Sequence, residues 1–187
     1  SNFASGSLLI DNSGTIRSAT GQGLDLDAIR SPNVSTTIIN RLGGLIRGDA
    51  SDGMKTGGNA TITNYGEIST GDTHSRDDKF DGVDIDSATG VTVTNYGLIS
   101  GGRHGITTDL GATLTNYGTV IGRNGSGFGS DGDGTVINHG TITGAFSGLQ
   151  PDGDGDGVDI DKIAHIENYG VIQGVGAGGV DKNGFAN

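Results

Sequence analysis

The chain has 187 residues, of which 38 are glycine and two proline, with no cysteine and no tryptophan. Hydrophobic residues make up 32% and aromatic residues 5%, too few for an ordinary packed globule, and the glycines follow no collagen period. A formal charge of −11 argues against nucleic acid and anionic membranes as partners, and no run of 18 apolar residues marks a bilayer span.

From the amino terminus onward, one short pattern returns. Aligned on its asparagine, it places Asn12, Asn40, Asn64, Asn95, Asn116, Asn138 and Asn168 at intervals of 28, 24, 31, 21, 22 and 30 residues. The shortest intervals suggest a unit of 21–22 residues with insertions in some copies. The first copy carries GLDLD at 23–27. The second reads NRLGGLIRG, with two extra residues after Asn40 that predict a bulged corner. The third reads ITNYGEISTG, the fourth VTNYGLISG, the fifth LTNYGTVIG, the sixth VINHGTITG and the seventh IENYGVIQG. Ten residues before the asparagine stand Met54, Ile106, Phe128 and Val158, each after a glycine; Gly23-Leu24, Gly82-Val83 and Gly179-Val180 extend that series.

Within VTVTNYGLIS, Val91, Val93, Asn95, Gly97 and Ile99 share one face and Thr92, Thr94, Tyr96, Leu98 and Ser100 the other. A period of two means extended strand. One unit cannot bury its apolar row, whereas stacked units can, at roughly 4.8 Å per strand. The expected fold is all-β: a single right-handed parallel β-helix of about seven coils, the hand following the usual preference of parallel crossovers. Pointing inward at a bend, Asn12, Asn64, Asn95, Asn116, Asn138 and Asn168 are expected to form a ladder of carboxamides that satisfies buried polar groups. The intervening ring, Tyr65, Tyr96, Tyr117, His139 or Tyr169, is expected to face outward and stack on its copies, and the glycine after it to permit a tight backbone.

The Φ-x-N-x-G-x-[IV]-x-G unit (Φ, an apolar residue) resembles the β-helical passenger domains of bacterial autotransporters, including large adhesin-like proteins of Gram-negative bacteria. That resemblance covers nearly the whole chain and implies an exported or cell-surface protein, often an adhesin. The carboxy-terminal membrane barrel of such proteins is not recognisable in these residues, so either it lies downstream in a longer protein, of which this chain is a fragment, or the resemblance concerns the repeat alone.

Two insertions fall at the same corner: DTHSRDDKFD at 72–81 and AFSGLQPDGDGD at 145–156, each followed by GVDID. Such loops are the usual place for recognition on a solenoid. In PDGDGDGVDID, Asp152, Asp154, Asp156, Asp159 and Asp161 fall within ten residues, an arrangement suited to an oxygen-seeking Ca2+ ion. The twelfth position of an EF-hand would be Ile163, so the expected site is not of that type, and a solvated acidic loop is the alternative. Asp77, Asp78, Asp81 and Asp84 form a weaker candidate, since Arg76 and Lys79 already supply positive charge. Asp86, Asp109, Asp131 and Asp161 read as turn residues.

A β-helix can also host polysaccharide-processing enzymes, for which His74, Arg76, Asp77, Asp78, Lys79, Arg103 and His104 would be the candidates. No catalytic constellation is expected from their spacing, and four scattered histidines do not make a zinc site. The sequence therefore points to a non-enzymatic, extracellular structural or adhesive module whose partner is a surface ligand, a glycan or copies of itself. A self-assembling filament or surface-layer subunit is the alternative, and a polysaccharide enzyme the third reading.

Overall fold

A computed structural model describes residues 5–29, 31–71, 79–146, 155–176 and 183–186. The alternation of side chains along each repeat builds three parallel sheets of seven strands, and each coil contributes one strand to every sheet. Sheet 1 comprises Gly6–Asn12, Val34–Asn40, Ala60–Asn64, Thr92–Asn95, Gly111–Asn116, Asp133–Asn138 and Ala164–Asn168. Sheet 2 follows the asparagine corner, from Thr15–Ser18 to Val171–Gly176, and sheet 3 holds the short strands from Leu24–Asp25 to Phe185–Ala186. All strand pairs are parallel, and the chain is a three-faced parallel β-helix.

In-register stacking turns the repeat into three apolar columns. Sheet 1 gives Ile10, Ile38, Ile62, Val93, Leu114, Val136 and Ile166. Sheet 2 gives Ile16, Ile46, Ile68, Ile99, Val120, Ile142 and Ile172. Sheet 3 gives Leu24, Met54, Val83, Ile106, Phe128, Val158 and Phe185. Members in the five inner coils are fully or almost fully buried. An apolar fraction of one third suffices because coil upon coil, rather than helix upon sheet, covers each residue.

Two local features give the sequence reading its physical cause, and a third differs from it. The glycine after the aromatic ring does not adopt a left-handed φ; it is required by close approach, since a Cβ at Gly97 would lie 2.1 Å from the Gly66 carbonyl oxygen of the coil below. In the second coil, Arg41–Gly44 loops out as a turn closed by Gly44 N donating to Arg41 O at 2.8 Å, with Gly43 at φ +79° and Leu42 87% exposed. The bulge leaves Asn40 in line with its neighbours. At the carboxy terminus, the residue paired with Val158 is Phe185, so Gly184-Phe185 occupies the register position assigned to Gly179-Val180.

Candidate functional surface

The asparagine corner carries one continuous ladder. Asn12 Nδ2 donates to Asn40 Oδ1 at 2.8 Å, and the pattern repeats through Asn64, Asn95, Asn116 and Asn138 to Asn168 at 2.8–2.9 Å. Each inner Nδ2 also meets the carbonyl of its own following glycine (Gly44 O in the bulged coil) and a carbonyl of the next coil, as Asn95 does with Gly97 O and Thr119 O. Inner members are completely buried, so these bonds offset the cost of taking a carboxamide out of water. Outside the ladder, Tyr65, Tyr96, Tyr117, His139 and Tyr169 stack with ring centroids 4.8–4.9 Å apart.

A second ladder runs along the corner between sheets 2 and 3, where sequence reasoning saw only loops. At four positions the residue before the glycine of sheet 3 accepts a hydrogen bond from the backbone of its counterpart one coil on. Asp81 N donates to Asp52 Oδ1 at 2.9 Å, His104 N to Asp81 Oδ1 at 2.9 Å and Ser126 N to His104 Nδ1 at 2.8 Å. Asn183 N donates to Asp156 Oδ1 in the same way. The only signal in the sequence is a polar residue of changing type before a repeated glycine.

The predicted site residues divide accordingly. Asp77, Asp78, Asp152 and Asp154 lie outside the described residues. Asp156 is buried in the corner and serves the second ladder; Asp159 lies half-buried on the outer wall of sheet 3, and Asp161 is exposed at the following turn. Asp81 is also buried, and Arg103 closes on it with Nε at 3.1 Å and Nη2 at 2.7 Å. Asp84 pairs with Lys55 at 3.0 Å, and Lys55 reaches Asp86 at 3.6 Å. Asp81 and Asp84, two of the four carboxylates of the weaker candidate site, are thus each paired with a cation of the chain itself. Among the described residues no three His, Asp or Glu side chains come together as a metal centre. Arg103 and His104, considered for catalysis, both bond within this corner.

Burial shapes the titration of this corner. It pushes Asp52 up to about 6, with the Asp81 and Asp84 charges adding to it and the bond from Asp81 N working against it. Burial also raises Asp84, although Lys55 pulls the other way; the Lys55 ammonium is raised by Asp84 and Asp86 despite its own desolvation. At the next corner Asp109 is raised by desolvation and then by the Asp86 carboxyl beside it.

The 72–78 segment springs from a fastened base. Gly71 N bonds Gly48 O at 2.8 Å, while Arg123, two coils away, donates to Gly71 O at 2.7 Å, Thr70 Oγ1 at 2.8 Å and Ser100 Oγ at 2.7 Å. On the other side Arg103 N bonds Phe80 O at 2.8 Å. Elsewhere, a groove of about 460 Å3 runs along the edge of sheet 1 between Leu110, Ile163 and the threonines of that sheet. No family model, curated protein or solved structure matches the chain.

Proposed function

We propose that the chain is a non-enzymatic structural and adhesive module of an extracellular or cell-surface protein, similar in kind to a Gram-negative autotransporter passenger domain. The fastened base of the 72–78 segment carries this reading. Arg103, Arg123 and Asp81 hold both flanks of the segment by at least one strong hydrogen bond each, and charged bonds of this kind are the stiffer ones. The segments 147–154 and 177–182 join sheets 2 and 3 at the same corner of other coils. The longest insertions thus share one edge, while the described polar clusters hold coil to coil. A surface ligand or glycan is the partner of that edge, and Ca2+ is a proposed ligand of the acidic 152–161 stretch.

Purified protein is expected to bind cells or coated surfaces and to release no product from a panel of acidic and neutral polysaccharides. Turnover that disappears when Asp77, Asp78 or His104 is changed would replace this reading with a polysaccharide enzyme. Self-assembly is the second reading, favoured by the single polarity of the asparagine ladder, in which every carboxamide donates towards the carboxy-terminal coil. Filaments in electron micrographs that are broken up by changing Asn12 or Asn168 would put that reading first.

A further inference from the structure

The outer face of sheet 1 differs from the rest of the wall. One column of outward positions holds Thr37, Thr61, Thr92, Thr113 and Thr135, and the next holds Ile39, Thr63, Thr94, Thr115 and Ile137. These ten positions, in the five inner coils, carry no charge in a chain whose formal charge is −11; the same columns end in Leu9 and Asp11 in the first coil and in His165 and Glu167 in the seventh. Sheet 2 shows Arg17, Arg47 and Glu67 outward in its first three coils and uncharged side chains beyond them, and sheet 3 shows Asp25, Lys55, Asp84 and Asp159. Among the described residues, none of the eight threonine hydroxyls is engaged by another group of the protein.

The coil stacking beside the array is regular. Along the adjoining corner, rings from Tyr65 to His139 are spaced by 4.8–4.9 Å and tilted by only 4–5° from one coil to the next. The hydroxyls therefore repeat at this coil spacing along the axis, and at roughly 6.6 Å, two residues of strand, across it. Branching at Cβ leaves threonine few rotamers, so hydroxyl and methyl hold their places at little entropic cost.

We propose that this face binds ice. A charged partner finds nothing to pair with on the array. An uncharged solid whose surface oxygens repeat on both spacings does fit it, and rows of oxygens in hexagonal ice repeat close to these two distances. Threonine hydroxyls would take the place of lattice waters, and the methyls, extended by Ile39 and Ile137, would rest in the hollows between them. Rigidity lets many weak contacts act together, since little ordering remains to be done on contact. This activity is independent of the corner loops and of the adhesive reading.

The test is growth of single ice crystals in the protein solution, with adsorption of the fluorescently labelled protein to an ice hemisphere. Four proteins are compared: the wild type, Thr94→Lys, Thr94→Val, and Thr141→Lys on sheet 2 as a control, each checked by circular dichroism. Wild type and the control should shape the crystal and adsorb. Thr94→Lys, at the centre of the array, should need about tenfold more protein or fail. Thr94→Val keeps the shape of the side chain and the strand preference, so it should fold and lose less. Round, unshaped crystals and no adsorption with folded wild type would overturn the proposal, as would equal activity in the two lysine variants. Binding of a soluble neutral oligosaccharide that depends on Leu110 and Ile163, without any effect on ice, would also overturn it by assigning the face to the neighbouring groove. Binding to cells that survives Thr94→Lys concerns the loops alone.

Discussion

Arg103 grips the Asp81 carboxylate with two hydrogen bonds, and Asp81 in turn accepts the backbone N–H of His104. Asp81 is 2% exposed, so its charge is stable in the corner only while these donors remain.

Replacing Asp81 by Ala should therefore destabilise the protein by about 2–4 kcal/mol, because it strands the partly buried guanidinium and one backbone N–H. Asp81→Asn should cost less, as it retains an acceptor for His104 N. Urea unfolding followed by circular dichroism checks both. Equal, wild-type midpoints in the two variants would contradict the assigned role of the pair.

Asp52 predicts a pH dependence with a definite sign. Its folded-state value, about 6, lies above the roughly 3.9 of an unfolded Asp, so the folded protein holds the proton more tightly. This contribution to stability is fully present below the unfolded value and is lost as pH rises through about 6. Asp81 and Asp84 oppose ionisation, and Lys55 favours it. The change amounts to at most roughly 3 kcal/mol. Asp52→Asn keeps an acceptor for Asp81 N, so it should raise the melting temperature near pH 8 and flatten the profile between pH 4 and 7. An unchanged profile would remove Asp52 from the account.

The register can be locked chemically, because the chain has no cysteine of its own. Leu98 and Thr119 are partners in adjacent strands of sheet 2. At a strand spacing of about 4.8 Å, their Cα atoms fall in the range of roughly 4.4–6.8 Å that a disulfide spans. Leu98→Cys with Thr119→Cys should oxidise to a single intramolecular bridge. Leu98→Cys with Ile121→Cys, offset by two residues, should not. Bridging in the offset pair alone would show that the coils are misaligned.

Calcium is expected to act through the 152–161 stretch. Millimolar Ca2+ should raise the melting temperature, with an affinity of about 10⁻⁴–10⁻³ M, and Asp159→Asn with Asp161→Asn should weaken the effect. Those two positions are suited to the test because Asp156 already serves the corner ladder. Absence of both heat in calorimetry and a shift in melting would leave the stretch as a solvated acidic loop.

What the sequence revealed followed from strict spacing. Alternation in VTVTNYGLIS placed Val93, Asn95 and Ile99 inside, and the common asparagine aligned their columns. Asn40 was set apart because two extra residues disturb the count, although the structure loops out Leu42 and Gly43 and keeps the carboxamide in place. The second ladder was hidden for a different reason. Asp52, Asp81, His104, Ser126 and Asp156 can all accept a backbone hydrogen bond, so no single residue type had to recur. The same ambiguity placed Asp81 and Asp156 in acidic clusters, since carboxylates close in sequence are read together before their burial is known. Lys55 could not be paired with Asp84 from sequence, because 29 residues separate positions that the solenoid stacks directly.

The most direct test of the account is to replace residues 72–78 and 147–154 with the short corner of the fourth coil and to measure binding to cells or coated surfaces beside thermal unfolding. The account predicts a β-rich, cooperatively folded protein whose melting temperature stays within a few degrees of wild type and whose binding is lost. Undiminished binding by that shortened protein would contradict it, because the wall, and not the corner it presents, would then hold the ligand.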